Sequence, residues 1–431
     1  MASGKQAFGN RNLQGPGDFS LDHMNIINSA GEKVSIKDHG WMSISLTEDI
    51  FEPAIMGVID IIDSVNLPQN LNLIGNEKIE LGFSAPSLEP IIFTGSITKV
   101  TESIDTSDSS KGYSLEIIST EAVTSLLQKV RKSYTAKSHS DIAKLIYSRY
   151  LGSRKAFRVE DTLNTTSIAI PGWNPFDAIK SLADRSQSAN PKYQNGSYLF
   201  YENCGNGDDN GGFSFRSLES LWDGATPLVH YTNQVKNTEM GNPADFTSVN
   251  WYAERARMDS IDNISGGMYA SKVNTHDLVK RKTYTKTYNY IKKFGETTHS
   301  NKNAQPLTNN ELYVNSPESY EIYMPKQYQS HGEGFDHDTT LPEHTAMNRT
   351  SVAQQLNNQV LDISIPGDSE RRVGDVVSFA KPSDESVSGD GPPLDRFISG
   401  NYLVTAVTHK IASTPEQYET VMELSKESLV R

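Results

Sequence analysis

The stretch HGEGFDHDTTLPEH, residues 331–344, gathers His331, His337 and His344 with Glu333, Asp336 and Asp338. These side-chain types hold divalent metals, but their spacings match no zinc signature and no helical pattern presents them together. A polar loop accounts for the same letters. NGDDNGG, residues 206–212, offers calcium-type oxygens and reads equally as a hairpin turn. DTSDSSKG, from Asp105, lacks the twelfth-position Glu and the flanking helices of a calcium loop. Asp60 and Asp63 in VIDIIDS have an odd separation, which sets them on opposite faces of a strand and spoils a glycosidase pair. Cys204 lies in the glycine-rich CGNGDDNGG with no nearby histidine to activate it. No G-x-S-x-G, Walker A or G-x-G-x-x-G motif is present. The expectation is a protein without catalytic residues, cofactor or metal, in which His409, at a strand end, is structural or solvent-exposed.

One run is strongly basic. SKVNTHDLVKRKTYTKTYNYIKKF, residues 271–294, carries Lys272, Lys280, Arg281, Lys282, Lys286, Lys292 and Lys293 against Asp277, and Tyr284, Tyr288 and Tyr290 interleave with the bases. Charge and aromatic stacking of this kind suit a phosphate backbone. A solvated strand whose lysines blunt an edge has the same composition. So does a subunit interface, where tyrosines are favoured and charges pair across the seam.

Composition narrows the choice. The chain has 431 residues, 36% hydrophobic and 22% charged, which suits a globular protein of two to four domains. With 53 acids against 40 bases, its formal charge of -13 argues against a dedicated nucleic-acid binder. Cys204 is the only cysteine, so an intramolecular disulfide or thiolate cluster is excluded. No window approaches the roughly 18 continuous apolar residues of a membrane helix, and no stable membrane insertion is expected. The N-terminal MASGKQAFGNRNLQGPGDFS has no apolar signal segment and reads as a flexible arm, residues 1–20.

The elements around these residues are mostly strands. Over 21–120, WMSISLTEDI alternates Met42, Ile44 and Leu46 with small polar residues, and IMGVIDIIDSV, KIELGF, IIFTGSITKV and GYSLEIIST follow, enough for a first small barrel or sandwich. Residues 121–227 change grammar into an α+β unit. STEAVTSLLQKV offers a helical face of Val123, Leu126, Leu127 and Val130; SHSDIAKLIYSRYLG offers Ile142, Leu145, Ile146 and Tyr150, closed by Gly152; NPFDAIKSLADRS offers Ala178, Ile179 and Leu182. SYLFYEN and GFSFRSL then flank a turn as a hairpin. β character returns over 228–295, 296–342 is a polar insertion or loop, and 343–431 closes the second β region. There EHTAMNRTSVAQQLNNQV opens with a helix facing inward through Ala346, Thr350, Ala353, Leu356 and Val360. LDISIPG, RRVGDVVSFA, SGNYLVTAVTHKI and QYETVMELSKES are strands. Gly374 and Asp375 form the turn before one of them, either as an ordinary β-turn or as a turn placed at a subunit seam.

That last series of helix and strands, together with GNEKIELGF, IFTGSITKV and WNPFDAIKSLADRS, resembles the baseplate hub proteins of contractile-tailed bacteriophages, relatives of the hub portion of type VI secretion spikes. The resemblance covers roughly residues 20–425. It implies a fold that is mainly β with an α+β insertion: two similar small antiparallel β-barrels plus a helical middle domain. It implies a homotrimer with pseudo-sixfold symmetry that joins a sixfold tail tube, or its initiator protein, to a threefold central spike. Other baseplate proteins would be neighbours, and DNA would pass transiently and non-specifically through an axial channel. On that footing Lys280, Lys282, Tyr284, Lys286, Tyr288, Tyr290, Gly374 and Asp375 are expected at an interface or channel. The alternatives are the hub section of a secretion or injection spike, a tail-associated cell-wall-degrading enzyme, or a glycan-binding module using Trp222 or Trp251.

Overall fold

The computed structural model describes residues 15–38, 40–71, 73–75, 77–107, 110–163, 165–193, 196–206, 211–227, 229–232, 246–278, 281–305, 310–325, 342–383 and 393–430. Strands dominate. The first third supplies β1 (Ser20–Ile27), β2 (Lys33–Ser35), β3 (Trp41–Asp49), β4 (Met56–Asp63), β5 (Lys78–Ser84), β6 (Ile91–Ser107) and β7 (Ser110–Ser119). The middle adds β8 (Val130–Lys137), β9 (Ala156–Val159), β10 (Thr166–Trp173), β11 (Tyr198–Asn203), β12 (Gly205–Asn206) and β13 (Gly212–Ser217). The remainder adds β14 (His230–Thr232), β15 (Trp251–Arg257), β16 (Ala270–Asp277), β17 (Lys282–Asn289), β18 (Glu321–Pro325), β19 (Gln359–Pro366), β20 (Val376–Ala380), β21 (Gly400–Ser413) and β22 (Glu416–Ser425).

The two expected β-barrels do not form. The strands of both β regions join instead in one open 14-stranded sheet, whose main path is β15-β19-β22-β21-β3-β4-β7-β6-β5-β1-β2. Among the described residues no sheet closes on itself. The cause lies in the 14 residues of β21, too long to serve one region alone. Its first residues pair with β20, Leu403 opposite Val376. After a bulge between Val404 and Ala406, residues Ala406–Ala412 pair antiparallel with Asp49–Ser43 of β3. Each free backbone edge needs a partner, and here each region satisfies the other's.

One face of this sheet is packed. Ile44, Leu46, Ile59, Ile61, Leu81, Phe83, Leu115 and Ile117 form a core that also takes Ile411 and Tyr418 from the C-terminal strands. Leu361, Ile363, Val377, Phe379, Tyr402, Val404, Met422 and Leu424 form a second, to which Ile50 contributes from the first region. Each such side chain contributes about 1.5–3 kcal/mol through burial. Met42, grouped by alternation with Ile44 and Leu46, is exposed instead, because the β3–β4 register slips between Trp41 and Ser43.

The middle unit packs helices on small sheets around Tyr147, Phe157, Phe176, Tyr198, Phe200, Phe213 and Phe215. β11 and β13 form the expected antiparallel hairpin, and β9 joins β13 in parallel. The helix His139–Ile146 is capped by Ser138, whose hydroxyl accepts from the Asp141 N–H at 3.2 Å, and it buries Ile142, Ala143 and Ile146. Pro175–Ala183 buries Ala178, Ile179 and Leu182. The helix Thr120–Leu127 departs from expectation. It buries Glu121, Ala122 and Ser125, while Leu126 and Leu127 are exposed and Val130 belongs to β8. Glu121 turns inward because Lys155 donates to it at 2.8 Å and to Glu202 at 2.6 Å, and Ile55 N–H donates to Glu202. Held between two carboxylates, the Lys155 ammonium stays charged.

A separate three-stranded sheet, β17-β16-β18, draws its third strand from the polar 296–342 segment. The helix Pro342–Asn357 packs against it and reaches the middle unit: Ser351 Oγ donates to the Met268 carbonyl at 2.6 Å, and Arg349 pairs with Asp184. Its buried stripe includes Thr345, Asn348, Ser351, Val352, Gln355 and Leu356, whereas Ala353 of the expected face is exposed. The polar members are carried by hydrogen bonds rather than by apolar contact, so the apolar period misplaces the face.

Candidate assembly surface

The unpacked face of the large sheet has a uniform chemistry. Its outward positions are Ser43, Ser45, Thr47 and Asp49 on β3, with Ala406, Thr408, Lys410 and Ala412 on β21. Val58, Asp60, Ser114 and Glu116 continue it on β4 and β7, and Asp362, Glu419, Val421 and Glu423 on β19 and β22. Short hydroxylated side chains tie neighbouring strands: the Thr47 and Thr408 hydroxyls lie 3.0 Å apart, and Ser114 donates to Asp60 at 2.6 Å while Ser43 donates to its other oxygen. On β15, Arg255 pairs with Asp362 at 2.8 Å and with Glu423. The face is therefore small-residue, polar and predominantly acidic. Larger apolar side chains are exposed towards its ends: Met42, Ile62 and Val65 at one, Phe51 and Met56 at the other.

Behind the face, Glu48 joins three parts of the chain. Its carboxylate is fully buried and accepts from the Cys204 N–H at 2.8 Å, the Asn203 side-chain amide at 3.4 Å and the Val373 N–H at 3.3 Å. Arg372 stands 3.8 Å away and donates to the Gly205 carbonyl at 3.1 Å. Neither Glu48 nor the small-residue face was singled out from sequence. The face was legible as the polar half of the β3 alternation; a lone buried acid carries no signal of that kind.

Lys280 lies outside the described residues. Lys282, Tyr284 and Lys286 lie on β17, which is exposed from Lys282 to Thr287 and has a hydrogen-bonded neighbour only in β16 among the described residues. Tyr288 and Tyr290 are buried with Met268, Tyr269, Val273 and Met347 in a core of their own. Burial pushes the Tyr288 hydroxyl up to about 12, so it stays protonated. Part of the basic run is neutralised locally, since Lys272 meets Glu321 at 2.6 Å and Glu318 at 3.7 Å.

Gly374 takes a φ of 89°, and a Cβ there would stand 2.8 Å from the Tyr201 hydroxyl, so the turn docks against β11. Its N–H donates to the Val404 carbonyl at 2.9 Å, and the Val404 N–H returns to the Asp375 carbonyl. The Asp375 carboxylate accepts from the Arg372 N–H at 3.1 Å and lies 3.6 Å from Arg371. Burial pushes it up to about 6 despite that guanidinium.

The remaining candidates are structural. Asp60 and Asp63 do face opposite ways, and Asp63 caps the Leu67 N–H at 2.6 Å. His409 is fully buried with Nδ1 2.7 Å from the Tyr418 hydroxyl, and burial lowers its pKa so that it stays neutral. Cys204 is buried and its thiol is pushed up by burial and by Glu48. Trp222 is buried, its indole N–H donating to the Thr298 carbonyl at 2.8 Å, so it is no glycan platform; Trp251 is 46% exposed on edge strand β15. His331, Glu333, Asp336, His337, Asp338, residues 207–210 and 108–109, and the side chain of His344 lie outside the described residues. Among the described residues no group of His, Cys, Asp and Glu assembles as a metal site, and no helix is long and apolar enough to cross a membrane.

No family model matches the chain. It is 25% identical over 312 residues to the probable baseplate hub protein gp334 of Vibrio phage KVP40, covering 70% of this chain and 69% of that protein. Its fold is similar to that of a tail protein from Neisseria meningitidis MC58, with a TM-score of 0.54, 11% identity and coverage of 95% and 97% of the two chains. The 43 kDa tail protein of prophage MuSo2 from Shewanella oneidensis has a similar fold, with a TM-score of 0.54, 10% identity and coverage of 94% and 98%. The sequence relationship over most of the length of a hub protein and the fold shared with two tail proteins make this chain a relative of the baseplate hub proteins of contractile tails.

Proposed function

We propose that three copies close into a ring whose axial channel is lined by the small-residue, acidic face of the 14-stranded sheet. One observation carries this reading. The sheet ends in β15 on one side and β2 on the other, each with a hydrogen-bonded neighbour on one side only among the described residues. Open edges are a liability unless a neighbour covers them, and a head-to-tail ring covers both with a single repeated contact. Two β regions per copy give six in a threefold ring, the arithmetic needed to meet a sixfold tail tube on one side and a threefold spike on the other.

The lining suits DNA passage. Short Ser, Thr and Ala side chains offer little to grip; Asp362 and Glu423 are neutralised by Arg255 and Glu116 by Lys99, while Asp60 and Glu419, with no ion pair among the described residues, repel phosphates. The exposed apolar residues at the ends of the face supply contacts for the tube and spike, since apolar centres within polar rims mark protein interfaces. β17, with Lys282, Tyr284 and Lys286 exposed, serves as a further seam towards another baseplate protein.

Light scattering of the purified chain over a range of concentrations tests the ring. A stable species near three times 47.7 kDa, with a central hole in images, supports it. A concentration-independent monomer that also fails to trimerise with its spike protein rules it out.

A further inference from the structure

Outside the large sheet, the middle unit carries a second open edge of different character. β8 pairs only with β10 among the described residues. Its exposed residues are Arg131, Lys132, Ser133, Thr135, Ala136 and Lys137, and Lys129 precedes it. No acid occurs between Glu121 and Asp141, in a chain whose formal charge is -13. Arg131, Lys132 and Lys137 make no ion pair among the described residues; Lys132 lies over the Tyr134 ring at 5.4 Å. Immediately before the strand, Leu126 and Leu127 are 69% and 78% exposed at the end of their helix.

Charged edge strands often serve only to discourage pairing. Two features set β8 apart from such a guard. Its charges are of one sign, and an exposed leucine pair stands beside it, which invites contact. The other edge of the same ribbon, β10, holds Pro171 and Gly172, poor partners for an incoming strand. We propose that β8 receives an acidic extended segment of another tail protein as an added antiparallel or parallel strand. Main-chain bonds to β8 would supply affinity, Arg131 on one face of the ribbon and Lys132 on the other would each select a carboxylate, and Leu126 and Leu127 would anchor an apolar residue at one end of the segment.

The probes are a fluorescent dodecapeptide of Glu-Glu-Val repeats, which carries carboxylates on both faces, its Lys-Lys-Val counterpart and a thymidine dodecanucleotide, titrated into the full-length protein by anisotropy at low and moderate salt. The acidic peptide is expected to bind, to weaken with salt, and to slow amide exchange across residues 131–135. Arg131→Glu with Lys132→Glu should weaken it at least tenfold, and Leu126→Ser with Leu127→Ser several-fold. Lys144→Glu, a basic residue of the same unit paired with Asp161, should leave binding unchanged. Each variant's circular dichroism and oligomeric mass are checked against the parent, which separates loss of this site from loss of the fold or ring. Absence of binding, equal binding by the charge-reversed protein, or no added protection over 131–135 overturns the proposal. Tighter binding of the oligonucleotide assigns the surface to nucleic acid instead.

Discussion

The Glu48 carboxylate accepts the Cys204 main-chain N–H at 2.8 Å, fastening the end of β3 to the far end of the β11 strand, 156 residues on. The same group takes the Val373 N–H, so the first β region, the middle unit and the C-terminal strands meet on one side chain. Glu48→Ala strips the acceptor from those buried N–H groups and leaves Arg372 without its anion. A loss of about 3–5 kcal/mol is expected, as for other broken buried pairs. Denaturant unfolding measures it; a loss below about 1 kcal/mol shows that the junction is held elsewhere.

Gly374→Ala meets two obstacles, a positive φ and a contact at 2.8 Å with the Tyr201 hydroxyl. A destabilisation of about 1–3 kcal/mol is expected. Tyr201→Phe removes the contacting oxygen and should recover part of it in the double variant, leaving the backbone share. Strict additivity in calorimetry would disconnect the two residues.

Asp375 titrates near 6 when folded, against an ordinary value of 3.8. Between those values the folded chain holds a proton that the unfolded chain has released, so this group's contribution falls as pH rises through the window. Asp375→Asn keeps an acceptor for the Arg372 N–H and abolishes the titration. Its stability should match wild type near pH 4 and exceed it by about 1–2 kcal/mol above pH 6.5. A variant less stable at pH 7 than at pH 4, relative to wild type, reverses the sign and refutes this account.

Placing lysines at Ser45, Ala406 and Ala412 converts part of the outward face from repulsive to attractive for phosphates. The variant protein should bind duplex DNA at least tenfold tighter than wild type at low salt, with a steeper salt dependence. Tight binding by the unaltered protein in filter assays would contradict a channel built for passage.

Wherever apolar residues kept a strict period and nothing competed, the sequence was readable. Pro175–Ala183 buried the stripe expected of it, and His139–Ile146 buried Ile142 and Ile146 while Leu145 of its expected face stayed exposed. The period misled where polar groups had partners distant in the chain. Glu121 went inward for Lys155 and Leu126 outward, and Ser351 took a buried place for the Met268 carbonyl. Tyr288 and Tyr290 read as aromatic contacts for a partner and are core residues, because the helix Pro342–Asn357 covers them from sixty residues away. Resemblance brought out the hub family, which the relationship to the Vibrio phage protein supports. It also carried over two closed barrels that the chain does not form by itself.

By itself, then, the sequence determined many of the strands and helices, since alternation and capping act within a few residues, although β8 begins in a stretch read as helix and β18 lies in one read as loop. It also determined that the chain has no disulfide, because Cys204 stands alone. Only the tertiary structure decided that Ala406–Ala412, paired with β22 on one edge, would take β3 on the other, merging two regions into one open sheet. A strand's hydrophobic pattern specifies which face is buried but not which edge will meet it. That choice belongs to long-range hydrogen bonding and to buried groups such as Glu48, whose partners lie more than a hundred residues away.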